Sequence, residues 1–182
     1  MRAQKTMHMA EIALMSALLC VISPITIPIP FSPVPLSLAT FGVYLSAVLL
    51  GAKGGAVSVL IYLMLGAAGL PVFSGFSGGL GVLLGPTGGY LAGYVPCALI
   101  AGGLGQAKRC KFSLYMLAMG TGTLVCYLLG TVWFLVIMKG AYTVLQALAV
   151  CVAPYLLFDV IKILLATVIA ISIQKRIGRI KQ

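Results

Sequence analysis

The stretch PYLLFDVIKILLATVIAISI, Pro154 to Ile173, is twenty residues long, and Asp159 and Lys162 are its only charges. About twenty apolar residues are what a helix needs to cross a hydrocarbon core of about 30 Å. Proline is favoured at the first helical position, so Pro154 suits the start of this span. Residues three apart share one helical face, which places Asp159 and Lys162 side by side. At about 1.5 Å per residue, Asp159 then lies roughly 8 Å inside the span. A charge at the centre of a span costs about 2.5 to 3.5 kcal/mol on insertion scales, so two of them need a partner or a purpose. Either the pair neutralises itself within the bundle, or Asp159 accepts N–H donors from a substrate while Lys162 donates to its carbonyl or orients the carboxylate.

The rest of the chain belongs to the same solvent. Of 182 residues, 62% are hydrophobic and 8% charged, and the mean hydropathy is +1.17. No Asp, Glu, Lys or Arg occurs between Glu11 and Lys53, between Lys53 and Lys108, or between Lys111 and Lys139. Splitting the apolar runs at Pro, Gly and charge predicts an all-α integral membrane protein. It has one domain with spans at about 11–27, 36–50, 54–70, 88–107, 112–138 and 154–173. The second and third are short for a bilayer. The first run lacks a small-residue cleavage site and leads straight into further spans, so no cleavable signal peptide is expected.

Net charge is +10, which raises the question of nucleic acid. Six spans put both ends on one face with Arg2, Lys5, Lys53, Lys108, Arg109, Lys111, Lys175, Arg176, Arg179 and Lys181, leaving Lys139 opposite and Lys162 within the membrane. This is the positive-inside asymmetry, so the charge reports topology, both termini are expected in the cytoplasm, and nucleic acid is not a partner. His8 and Glu11 fall at the cytoplasmic margin and read as interfacial. The cysteines at 20, 97, 110, 126 and 151 are scattered and never spaced as CxxC, which reads as small apolar side chains rather than a metal site or disulfide framework.

Between the third and fourth spans runs GLPVFSGFSGGLGVLLGPTGGYLAGY, Gly69 to Tyr94. A phosphate-binding loop needs a lysine and a Ser or Thr opening the next helix. No lysine occurs from Gly54 to Ala107, and the stretch lies on the outer side, so the nucleotide reading fails. Gly89 and Gly93, four apart, suit close helix packing. Gly75, Gly78, Gly79, Gly81 and Gly85 sit in a segment too broken for one regular helix. Irregular backbone near membrane depth is tolerated where it is buried in protein or lines a cavity, and there it can offer N–H and C=O groups to a ligand. The absence of charge suits a ligand portion that is neutral and polar, or flat and apolar. HExxH, paired carboxylates and Walker motifs are all missing, so the chain is expected to be neither an enzyme nor a user of ATP. Ala13 and Ala17 make a small-xxx-small pair on the first span, open either to packing within the chain or to a partner helix.

The run IPIPFSPVPLSLATFGVYLSAVLLGAKGGAVSVLIYLMLGAAGLPVFSGFSGGLGVLLGPTGGYLAGY, Ile27 to Tyr94, together with the later DVIK at Asp159 to Lys162, closely resembles the biotin-specific S component of energy-coupling-factor (ECF) transporters. The resemblance implies a six-helix membrane protein that captures biotin from outside. It implies a transmembrane scaffold subunit and two cytoplasmic ATPases as partners, with ATP used by those subunits and no cofactor in the chain itself. Ala13 and Ala17 match the family's scaffold-contacting motif, and Asp159 and Lys162 match its ligand-contacting acid and lysine. Ser77 aligns with a polar residue of the glycine-rich loop, with Gly75, Gly78 and Gly79 as lid and ligand contacts and Thr40 as the threonine of the second span. Two positions depart from the pattern: Leu91 stands where some members carry Arg, and Ala39 where many carry Gln. Tyr90 or backbone N–H groups of the loop then take the biotin carboxylate.

Overall fold

A computed structural model of the protein describes residues 2–28, 34–105 and 112–180, with the backbone alone at 2, 3 and 174–180. Most of the proline-rich IPIPFSPVP (residues 29–33) and the basic residues Lys108, Arg109, Lys111 and Lys181 lie outside the described residues. Helices dominate: α1 Arg2–Ile22, α2 Ala39–Ala67, α3 Leu80–Leu83, α4 Gly88–Gly105, α5 Phe112–Ile137, α6 Val144–Cys151 and α7 Ala153–Ile180. Gln4–Ile22, Ala39–Ala67, Phe112–Ile137 and Ala153–Ile173 are long and apolar enough to cross a membrane.

The expected spans 36–50 and 54–70 form one run, α2, broken inside at Gly51. Contacts with α1 show what the break does. Gly42 packs against Leu19 and Ile22, Ser58 Oγ donates to the Ile12 carbonyl (3.3 Å), and Ser23 Oγ meets the Tyr62 hydroxyl at 2.5 Å. Residues 42 and 62 therefore sit at nearly the same level of α1, although a straight helix would separate them by about 30 Å. The chain reverses at Gly51, whose φ of 77° with ψ of −178° is a conformation essentially reserved for glycine. Beyond it the limbs are pressed together, with Gly55 so close to Ala47 that an added Cβ would lie 2.6 Å from the Ala47 Cα. The reversal thus falls on Gly51, the first of residues 51–53 left between the two expected spans.

The other helices alternate in direction. On α4, Gly89 abuts Trp133, Gly93 abuts Cys126 and Gly105 abuts Tyr115, so α5 runs antiparallel to it. Gly102 meets the Gly51–Ala52 turn. Thr167 of α7 reaches Met119 of α5. The start of α1, the Gly51 reversal, the end of α4 and the start of α5 consequently share one end of the bundle, toward which α7 also runs. Lys5 and Lys53 are exposed at this end; Lys139, just past α5, is exposed at the other.

That other end carries the irregular structure. Strands β1 Thr26–Ile27 and β2 Leu36–Ser37 pair antiparallel, with Thr26 opposite Ser37. The glycine-rich segment forms a 3-10 turn at Ser74–Phe76 and then the short α3, which agrees with its being too broken for one helix. It is pinned from both sides: the Gly75 amide donates to the Pro24 carbonyl (3.2 Å) and the Gly79 amide to that of Gly66 (2.7 Å). Helix α6, placed in no span by the sequence, starts with a capping box between Thr143 and Gln146. Helix α1 ends at Ile22 rather than at 27, just ahead of Pro24, and α7 continues past 173 through the basic tail. Cys97, Cys126 and Cys151 are buried free thiols.

Candidate ligand-binding site

Between this irregular end and the bundle lies a cavity of about 230 Å³. Its floor is the pair read from the sequence. Asp159 and Lys162 are 5% and 7% exposed, and Lys162 Nζ lies 2.9 Å from Asp159 Oδ1. Helical spacing places them on one face of α7, but their remaining partners come from elsewhere in the chain. Lys162 also donates to the Ser37 carbonyl (2.7 Å) and to Thr40 Oγ1 (3.1 Å). Thr40 Oγ1 donates onward to Asp159 Oδ1 (3.4 Å), and the Tyr127 hydroxyl donates to Asp159 Oδ2.

A lysine ammonium has three protons, and here each has a protein acceptor. An ionised carboxylate has acceptor sites on both oxygens, and among the described residues Oδ2 serves Tyr127 alone. The floor is therefore donor-saturated and keeps acceptor capacity. It can receive an N–H from a bound molecule, while Lys162 orients the carboxylate instead of offering a proton of its own. Charge is buried here because it is paired and hydrogen-bonded on every side, the condition under which burial is tolerated.

Above the floor, the first limb of α2 supplies Thr40 and Tyr44, α4 supplies Tyr90, Leu91, Tyr94 and Cys97, and α5 supplies Thr123, Cys126 and Tyr127. Tyr155, also lining, donates to the Val34 carbonyl. Val34, Pro35, Phe73, Ser74, Ser77 and Thr87 come from the irregular end. Most of this surface is aromatic or aliphatic with a few convergent polar groups, the usual make-up of a small-molecule pocket.

The expected site residues divide. Asp159, Lys162, Thr40, Tyr90 and Ser77 all line the cavity; Gly75, Gly78 and Gly79 do not. The loop instead presents Phe73, Ser74 and Ser77, and Ser77 Oγ is turned onto the Ser74 carbonyl (2.8 Å). The Tyr90 hydroxyl meets Thr131 Oγ1 at 3.2 Å. Of the two departures from the family pattern, Leu91 lines the cavity while Ala39 is fully buried beside it. Ala13 and Ala17 are exposed on the outer face of α1, a helix that contributes nothing to the lining. Ser37, Tyr44, Tyr94, Tyr127 and Tyr155 were not singled out by sequence. The available signal was a phenol inside a charge-free apolar run, where its hydroxyl needs a partner. Among the described residues, no group of three or more His, Cys, Asp or Glu side chains is placed to hold a metal ion.

Fold and site together define a membrane-embedded binding protein, a helical bundle enclosing an aromatic cavity with a charged, hydrogen-bonded floor. Residues 1–179 match the BioY family, and the chain belongs to it. It is 41% identical over 149 residues to the biotin transporter BioY of Thermotoga maritima, covering 82% of this chain and 86% of that one. It is 39% identical over 170 residues to the probable biotin transporter BioY of Pyrococcus horikoshii, covering 93% and 98%. Its fold matches the crystal structure of the S-component for biotin from an ECF-type ABC transporter with a TM-score of 0.88 at 28% identity, over 96% of this chain and 94% of that one.

Proposed function

We propose that this protein is the substrate-binding membrane subunit of a biotin importer, a transport component and not an enzyme. The observation that carries the reading is the floor of the cavity, where Asp159 is held by Lys162, Thr40 and Tyr127 with acceptor capacity to spare. A cyclic urea brings N–H donors that suit such an acceptor, and the thioether ring and alkyl tail suit the aromatic walls. A hydrogen bond to a charged group contributes about 1.5 to 3 kcal/mol, enough for one or two to dominate selectivity. Membership of the family and the names of its relatives support biotin as the ligand.

The chain crosses the membrane six times as a single domain: α1, the two limbs of α2, α4, α5 and α7. Both termini are cytoplasmic, because Lys5, Lys53 and the basic C-terminal tail belong to one end. The cavity then opens outward under the β1–β2 hairpin and the glycine-rich segment, which act as its cover, with Gly75, Gly78 and Gly79 shaping the backbone that carries Phe73, Ser74 and Ser77. Tyr90 and loop N–H groups meet the carboxylate tail. With no nucleotide motif of its own, the subunit relies on a transmembrane scaffold docked at Ala13 and Ala17 and on two cytoplasmic ATPases. It resides in a prokaryotic cell membrane and carries no cofactor.

The test is direct binding. Labelled biotin should bind the purified chain tightly in detergent without nucleotide, and folded protein that fails to bind it would overturn this reading.

A further inference from the structure

Four of the tyrosines lining the cavity have their hydroxyls engaged by the protein. Tyr44 meets Thr123 Oγ1 at 2.6 Å, Tyr90 meets Thr131, Tyr127 donates to Asp159, and Tyr155 donates to Val34. Tyr94 differs. It is 7% exposed and lines the same cavity, yet its hydroxyl has no hydrogen-bond partner among the described residues. Among the described residues no buried side-chain polar atom is left without a partner, so this oxygen keeps accessible surface, on a residue that lines the cavity.

Its level in the bundle is set by helix packing. Gly93 is pressed onto Cys126, where an added Cβ would stand 3.1 Å from the Cys126 Cα. The next residue on each helix is Tyr94 and Tyr127, and Tyr127 is the group that holds Asp159 Oδ2. Tyr94 therefore faces the cavity in the layer of the floor rather than at the mouth.

The floor itself lacks a donor for a ligand acceptor. All three Lys162 protons and the Thr40 and Tyr127 protons are directed at protein oxygens. A cyclic urea carries a carbonyl acceptor next to its N–H donors, and a buried acceptor without a donor is strongly disfavoured. We propose that the Tyr94 hydroxyl is the donor that binds the carbonyl of the ligand's cyclic urea, completing the recognition that Asp159 begins at the N–H. This assignment rests on the function proposed above.

Tyr94→Phe removes one oxygen and keeps the ring. Binding of biotin and of its thiourea analogue, in which sulfur as a weak acceptor replaces the carbonyl oxygen, is measured on the full purified chain and the variant. Loss of one such hydrogen bond is about tenfold in affinity. The wild type should bind the thiourea about tenfold more weakly than biotin, and Y94F should bind biotin about tenfold more weakly than wild type while binding the thiourea as wild type does. Three results overturn the assignment alone: unchanged biotin affinity in Y94F, an equal loss for both ligands, or wild type that does not distinguish urea from thiourea. The thiourea comparison on wild type holds even if the variant does not fold. Wild type that binds neither ligand overturns the functional reading, and the assignment with it.

Discussion

Lys162 Nζ donates to the Ser37 carbonyl at 2.7 Å, joining the charged face of α7 to strand β2. Ser37 is itself fixed, its Oγ donating to the Ser23 carbonyl (2.8 Å) and accepting from the Ala39 amide (3.0 Å). The ion pair on the floor and the hairpin at the mouth are thus one hydrogen-bonded unit.

Asp159→Asn keeps the shape of the side chain and removes the charge that accepts N–H donors. Biotin affinity should fall at least thirtyfold, corresponding to the roughly 2 kcal/mol or more of a hydrogen bond to a charged group. The variant should remain folded at lower stability, because Lys162 loses its counter-charge but keeps Ser37 and Thr40 as acceptors. Titration with labelled biotin beside a thermal unfolding curve decides the matter, and unchanged affinity would mark the pair as purely structural.

Lys162→Met leaves Asp159 as a buried charge held only by hydroxyls. Breaking a buried pair from one side costs about 3 to 5 kcal/mol, whereas replacing both partners is far milder. Thermal stability should therefore drop more in K162M than in the double variant D159N/K162M. If the double variant is the less stable of the two, the pair is not coupled as drawn.

Gly93→Ala should loosen α4 from α5, because the added methyl meets the Cys126 backbone rather than a movable side-chain end. Overpacking of this kind costs about 1 to 3 kcal/mol, and displacement of Tyr94 and Tyr127 should weaken biotin binding as well. Gly120→Ala has nothing within 4 Å of the new methyl and should be neutral or stabilising by up to about 1 kcal/mol. Equal melting temperatures for the two variants would contradict the close contact.

Ala13→Trp and Ala17→Trp alter the exposed face of α1, while Ser16 and Leu19 on its inner face are buried against the bundle. Both variants should keep biotin binding and lose co-purification with the scaffold subunit. Intact co-purification would remove this face from the docking surface.

Long charge-free runs were enough to read an all-helical bundle with helices apolar enough to cross a membrane, because in lipid each apolar stretch must form its own hydrogen-bonded helix wherever it lies in the fold. Asp159 and Lys162 were legible for a related reason: a charge in an apolar span is costly enough to stand out by itself, and three-residue spacing fixes a shared face. The break between the second and third spans was expected at residues 51–53, and the reversal falls on Gly51 within it. Which tyrosines complete the site was not legible. Tyr127 reaches Asp159 across 32 positions, and Lys162 reaches Ser37 across 125, so both contacts depend on how the helices pack. The sequence by itself determined the solvent, the helices and the charged face of α7. Only the tertiary structure decided that Lys162's protons are already taken and that Tyr94's has no partner among the described residues, because hydrogen-bond saturation is a property of what surrounds a group, and those surroundings are assembled from distant parts of the chain.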